Sequence, residues 1–290
     1  MIKIGSFVAS FLLIFVILGP PGIASGKQKT VEFRFNLGAA ISRDGDIGIL
    51  ADGFENFSRD LAGVMGLRKS GEIGWTRWAR SVGGEFTIGL SPRVRLGLGF
   101  GWMAKTRENR SELGPSPLIK GELDFDADVL PLTFSGYLFF PISDKCQVYI
   151  KGGPGYYWAR FGYEIATIAL GDEDRISGKA RSGSLGFHGG LGAEYKISGR
   201  FALFAEAEGR YAKFTNWIGD EKHNDVEISS AAVWYTDQMY AAHSDLRQYY
   251  PFIAVGNDPP QSPLDKNVRR FAVDFSGFQI QAGVRIGFGK

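Results

Sequence analysis

Residues 185–211 read LGFHGGLGAEYKISGRFALFAEAEGRY. In the first half Leu185, Phe187, Leu191, Ala193, Tyr195 and Ile197 alternate with Gly186, His188, Gly190, Gly192, Glu194 and Lys196. A period of two is the signature of a strand whose two faces meet different surroundings. Ile197-Ser198-Gly199-Arg200 is a tight polar turn, and a second alternating run follows it. The stretch therefore predicts a β-hairpin. One face is bulky and apolar, and the other is glycine-rich and charged.

Two more segments share this design. Glu85 to Trp102 turns at Ser91-Pro92-Arg93, and Leu130 to Trp158 turns at Ile142-Ser143-Asp144-Lys145. Single alternating runs stand at 30–42 and 273–288. Three hairpins and two end strands make eight strands. The remaining connections, about 43–80, 106–121, 163–181 and 214–270, are long. Short turns at one end and long loops at the other are the asymmetry of an outer-membrane barrel. The rival is a soluble sandwich or lipocalin-like barrel with its apolar face inward. The apolar faces, however, end in aromatics: Trp102, Phe140, Tyr156, Trp158, Tyr195, Tyr211 and Phe288. Bulk outside and glycine inside suit lipid outside a narrow polar lumen. The expected fold is all-β: an eight-stranded antiparallel up-and-down transmembrane β-barrel with long extracellular loops, and short helices in the first and last of them.

The bulk numbers agree. The chain has 290 residues, 40 of them Gly and 23 Phe, and its mean hydropathy is −0.08. No stretch after residue 25 is long and apolar enough for a membrane-crossing helix. A net charge of +2 gives no case for a nucleic-acid partner. The one cysteine, Cys146, supports neither a disulfide framework nor a zinc cluster. Residues 1–25 read as a signal peptide. Lys3 precedes an apolar run from Phe7 to Leu18, then comes Gly19-Pro20-Pro21-Gly22, with small residues at Ala24-Ser25. Residues 26–290 would then form the barrel domain.

Pro131-Leu132-Thr133-Phe134-Ser135-Gly136-Tyr137, Phe140-Pro141-Ile142-Ser143, Tyr149 to Tyr157 with Gly152-Gly153-Pro154-Gly155, and the closing Gly283 to Phe288 carry a family likeness. In these the chain resembles the OmpA/OmpW-like small outer-membrane barrel superfamily. The resemblance implies a bacterial outer-membrane location and, in its OmpW-like version, passage of a small hydrophobic solute.

Ten charged residues fall on predicted inward positions: Glu32, Arg34, Glu85, Arg95, Lys151, Glu194, Glu206, Glu208, Arg210 and Arg285. Such charges must pair in a narrow lumen. They predict a salt-bridge plug, with a narrow charge-lined pore as the alternative. Phe54, Phe57, Leu61 and Val64 follow helical spacing behind Asp52 and Glu55, so a helix of about 12 residues is expected in the first loop. Trp234, Tyr235, Tyr240, Tyr249 and Tyr250 in the last loop form either a ligand surface or the core of a folded lid.

No phosphate-binding or metal-binding spacing is present, and Gly97-x-Gly99-x-Gly101 alternates within a strand. His188 points inward. His223 and His243-Ser244-Asp245 lie in the last loop. Three consecutive residues of a helix cannot form a catalytic relay. The sequence therefore predicts no enzyme, no cofactor and no metal, with a lipid A-modifying barrel enzyme as a distant alternative. It predicts a structural or passive-transport barrel, or else a surface adhesion or ligand-binding barrel acting through its loops. The expected partners are outer-membrane lipid and lipopolysaccharide, with a small hydrophobic solute or an extracellular ligand, and the expected state is a monomer.

Overall fold

The computed structural model describes residues 30–114, 119–169, 172–224, 226–243 and 246–288. The proposed signal peptide lies outside them. In chain order the elements are β1 (Val31–Ser42), α1 (Asp46–Met65), β2 (Lys69–Glu72), β3 (Trp78–Gly89), β4 (Val94–Leu113), β5 (Ile119–Pro141), β6 (Cys146–Ala169) and β7 (Asp172–Lys196). Then follow β8 (Phe201–Tyr211), β9 (Lys213–Phe214), β10 (Ile218–His223), β11 (Val226–His243), β12 (Leu246–Gly256), β13 (Asp265–Arg270), β14 (Val273–Asp274) and β15 (Gly277–Phe288). No described helix is long and apolar enough to cross a membrane.

The sheet pairing returns on itself. β1 pairs with β3, the next neighbours follow through β4, β5, β6, β7 and β8, and β15 joins β8 back to β1. Every pairing is antiparallel, and the result is a ring of eight strands. The three hairpin turns are built alike. Leu90, Ile142 and Ile197 donate their amides to Val94, Cys146 and Phe201, each at 2.9 Å. Ser91, Ser143 and Ser198 each accept the amide three residues on, at 3.0–3.2 Å. The repeat read from the sequence is thus a repeat of turn chemistry.

Around the lower ring the outward residues are exposed and apolar. They include Leu37, Leu98, Phe134, Ile150, Leu191, Leu203 and Ile280, with Phe140, Tyr156, Trp158, Tyr195, Tyr211 and Phe288 toward the ends. Val31 to Ile41 on tilted β1 spans a belt roughly 25 Å tall, from about 3.4 Å per residue and a tilt near 45°. That matches the apolar band of a membrane barrel.

Above the belt the polarity of the wall reverses. On β5, Leu132, Phe134, Leu138 and Phe140 point outward below Pro131, while Ser135 and Tyr137 point inward. Above Pro131, Leu123, Phe125, Ala127 and Val129 are buried inward, and Asp124, Asp126 and Asp128 take the outward positions. β6 changes in the same way between Trp158 and Arg160. One strand thus reads as a lipid-facing strand in its lower part and a water-facing strand in its upper part.

Three expectations need correction here. The described residues of 106–121 and 163–181 are almost all strand rather than loop. β4, β5, β6 and β7 run for 20, 23, 24 and 25 residues, against 11 or 12 for β1, β3, β8 and β15, so half of the ring is a tall wall. The alternation was present in 119–129, but with reversed polarity. The described residues of the last long loop also form no helix. β10 extends the wall from β7, β11 pairs with β10, and β12 and β13 pair with β11. The β-branched and aromatic run Val226 to Val255 explains this choice. The first loop does hold a helix, but α1 has 20 residues and starts at Asp46. Asp52 is therefore interior to it and caps nothing. Together, α1 and the raised sheet form a head on the ring.

Candidate functional site: the lumen and its lid

All ten predicted inward charges lie in the lumen, and eight of them meet one another in ion pairs arranged in layers. The signs balance: Glu32, Glu85, Glu194, Glu206 and Glu208 stand against Arg34, Arg95, Lys151, Arg210 and Arg285. Nearest the tight turns, Arg285 donates from Nη1 to Glu32 and from Nε to Glu194, both at 2.9 Å. Arg95 reaches Glu32 at 2.5 Å and Glu194 at 4.0 Å. The Gln147 amide adds a bond to Glu194 at 2.9 Å, and the Arg95 guanidinium lies 4.1 Å above the Phe139 ring.

In the next layer Arg34 is 3.6 Å from Glu206 and sits against the rings of Phe204, Tyr149 and Tyr137 at 4.1, 4.7 and 5.0 Å. It also donates to the Tyr149 hydroxyl, which donates in turn to Glu206 at 2.9 Å. Lys151 bridges Glu206 and Glu208 at 2.5 and 2.6 Å. Glu85 is held by the Tyr137 hydroxyl. Above them Arg210 donates to Gln279 at 3.1 Å and to the Phe275 carbonyl at 3.3 Å, with no carboxylate within ion-pairing distance among the described residues. Two charges removed from water by burial cost several kcal/mol each unless their geometry repays it. Pairing in layers meets that condition.

The sequence missed the inward aromatics Tyr137, Phe139, Tyr149 and Tyr157, all 2% exposed or less. A signal for them existed on the neighbouring strand. A Cβ on Gly192 would collide with the Tyr149 ring, so the glycine makes room for a large residue beside it. Inward glycines therefore mark where neighbours are large, and the lumen is filled rather than open. A cavity of about 60 Å³ remains between Asn36, Glu85, Lys151, Glu208, Arg210 and Gln281. That is room for a few waters; a ligand site takes about 300 Å³ or more.

The outer end of the lumen is closed by apolar packing. Ile47, Leu50 and Ala51 of α1 are at most 1% exposed and join Phe125, Phe161, Trp217, Val233 and Phe271 in one core. The start of α1 is anchored by Asp46, which accepts from both terminal nitrogens of Arg269 at 2.5 and 2.6 Å and from the Ala272 amide at 2.7 Å. A carboxylate in a first helical turn is also favoured by the helix dipole. Glu55 accepts from Lys69 and from the Ile73 amide at 2.9 Å. Burial pushes the Glu55 carboxyl up, but these bonds outweigh it and hold it below its ordinary 4.5. Gly66 ends the helix in the left-handed region.

The aromatics of the last loop do not form one open surface. Arg270 covers Trp234 at 4.1 Å, Arg269 covers Tyr235 at 4.1 Å, and Lys266 covers Tyr249 at 3.9 Å. Tyr250 meets Phe57 of α1 edge-on at 5.1 Å and donates to Asp60 at 2.7 Å. The Tyr240 side chain lies outside the described residues. His188 is buried with its Nε2 3.0 Å from the Ser135 hydroxyl, and His223 stands 2.8 Å from Asp174 on the surface. His243 is at the tip of the β11–β12 hairpin, while Ser244 and Asp245 lie outside the described residues. Cys146 is free and half-buried at the start of β6.

A family model described as "Outer membrane protein beta-barrel domain" matches residues 32–236. No curated protein matches the chain. Among solved structures it is similar to CarO of Acinetobacter baumannii, at 12% identity and TM-score 0.35, covering 87% of this chain and 97% of that one. It is similar to a major outer membrane protein of Thermus thermophilus, at 12% identity and TM-score 0.38, covering 89% and 99%. The outer membrane protease OmpT of Escherichia coli matches at 10% identity and TM-score 0.38, covering 92% and 99%.

Proposed function

This chain belongs to the outer membrane protein β-barrel domain family and resides in the bacterial outer membrane, and we propose that it is a plugged eight-stranded transmembrane barrel that anchors a rigid head at the cell surface. In this reading the Ser-capped turns face the periplasm, as short turns do in such barrels. The head of α1 and β10–β13 faces outward. Its role is structural or adhesive, through the head's outer surface.

The observation that carries this reading is the filled lumen: paired charges below, an apolar core above, and a cavity of about 60 Å³ between them. Purified full-length protein in planar bilayers should give no stable conductance steps, and proteoliposomes should swell in small sugars no faster than empty ones. Steady conductance from the intact protein would overturn the plugged reading.

A second reading, sideways entry of a small hydrophobic solute, rests on the wall itself. Pairing of β5 is interrupted for two residues at Pro131 toward β4, and for two residues at Pro154 of β6 on its other side. Proline has no N–H to give to the ladder. Pro131, Gly83 and Gly101 also border the cavity. Uptake of a fluorescent fatty acid that is lost in Pro131→Val/Pro154→Val would favour this reading, and uptake equal to that of protein-free vesicles would end it.

A further inference from the structure

Two of the ten lumen charges stand outside the ion pairs. Arg210 donates to Gln279 and the Phe275 carbonyl, and Glu85 accepts from the Tyr137 hydroxyl. Both border the cavity of about 60 Å³ between the charge layers and the core of the head. Lys151 and Glu208 border it as well, 2.6 Å from each other. With two charges of each sign on its wall, the chamber suits a net-neutral, hydrogen-bonding occupant rather than an ion. The side-chain amides of Asn36, Gln279 and Gln281 add donors and acceptors around the same space.

Two hydroxyls on this wall have no hydrogen-bond partner among the described residues: Ser81 Oγ on β3 and Tyr157 Oη on β6. Their residues are 7% and 1% exposed. A polar group buried without a partner is costly. A Cβ on Gly155 or Gly186 would press on the Tyr157 ring, so these two glycines leave the room that the ring takes and fix where its hydroxyl ends. The sheet ladder also lapses beside the chamber. Gly101 and Trp102 of β4 lie opposite Pro131 and Leu130 of β5 without pairing, and Pro131 has no N–H. Lipid offers nothing to a backbone group that leaves a ladder within a membrane wall. Gly101, Trp102 and Pro131 all line the chamber, which is the polar space on the inner side of this break.

We propose that the chamber is a binding site for a cluster of internal water, which partners the Ser81 and Tyr157 hydroxyls, solvates Arg210 and seals the break in the wall at Pro131. Buried water occupies spaces that are polar, roomy and able to give each molecule two to four partners. At about 10–15 Å³ for each molecule, a chamber of about 60 Å³ takes about four to six. Ion-pair layers below and the apolar core above shut these waters in, so they exchange slowly with bulk solvent. They are then part of the plug, and they make its upper layer by hydration where the lower layers use direct charge pairing. The inference rests on the plugged reading. Conductance steps would refute that reading, whereas a dry chamber would leave it standing and refute this inference alone.

The test has two arms. Magnetic relaxation dispersion of oxygen-17 water, on the full-length protein in detergent, counts waters held longer than the particle takes to tumble. Ser81→Leu fills the chamber and should lower that count by at least about two. Heat-modifiable gel mobility shows whether the variant is folded, and if it is not, Asn36→Leu makes the same reading from β1. The second arm is urea unfolding of Tyr157→Phe in lipid vesicles. A hydroxyl bonded to water has a hydrogen bond to lose, so the midpoint should fall by about 0.3 M. A hydroxyl in a dry chamber has none, and its removal would leave the midpoint equal or raise it. A water count that the folded filling variant leaves unchanged, or a Tyr157→Phe midpoint at or above that of the parent, would each overturn the proposal.

Discussion

Replacing Arg285 by Met removes the cation that joins two buried carboxylates. Arg285 is 4% exposed and makes both of its bonds at 2.9 Å, one to Glu32 and one to Glu194. Breaking a buried pair by removing one partner costs about 3–5 kcal/mol. Here Arg95 stays 2.5 Å from Glu32 but only 4.0 Å from Glu194. Glu32 therefore keeps a close cation, while Glu194 keeps only the neutral Gln147 amide at 2.9 Å and the distant Arg95, which places the expected loss near the lower figure, about 3 kcal/mol. With an m-value of about 3 kcal/mol/M, the urea midpoint should fall by about 1 M. The assay is reversible urea unfolding in lipid vesicles, followed by tryptophan fluorescence and by gel mobility. Arg285→Met/Glu194→Gln deletes the orphaned charge as well, and should recover at least half of the loss. A single variant within about 0.5 kcal/mol of the parent, or a double variant no better than the single, would refute the idea that these layers hold the barrel by charge pairing.

Three further outcomes are expected. Gly192→Val forces a side chain into the Tyr149 ring and the nearby Ala205 carbonyl, so overpacking of about 1–3 kcal/mol or more should appear as a smaller heat-modifiable fraction on gels. Leu50→Ala, at 1% exposure in the lid core, should cost about 2–5 kcal/mol locally and speed tryptic cleavage at the exposed Arg68, while barrel mobility stays unchanged. Because the Glu55 carboxyl is held below 4.5 in the fold, its contribution to lid docking is full above that pH and is lost as the pH falls through the depressed value. The protection factors of the α1 amides, which are corrected for the intrinsic pH dependence of exchange, should therefore fall at acid pH in the parent, and Glu55→Gln should flatten that fall.

The ring was legible because lipid and lumen impose opposite demands on alternate residues, and residues 185–211 show both. The charges of the lumen were legible for the same reason, since a charge on an inward position of a narrow barrel has few places to go. The inward tyrosines were not, because Tyr137 and Tyr149 look like belt residues unless the glycines opposite them are read as space. The head was misread because its strands reverse polarity. Asp124, Asp126 and Asp128 resemble a solvated loop when an apolar outer face is the criterion.

The reversal at Pro131 also bears on assembly. A strand with one pattern can slip by a residue and exchange a buried face for an exposed one. β5 carries two opposite patterns end to end, so a slip would turn Leu132 and Phe134 into the charged lumen and, in the same movement, drive Asp124 and Asp126 into the apolar core of the head. Lipid and water each proofread their own half of the strand, and because the strand is continuous, neither half can shift without the other. An insertion intermediate whose alignment is wrong inside the bilayer therefore cannot complete its head, and a surface-exposed epitope on α1 would report that the barrel below it has found its proper register.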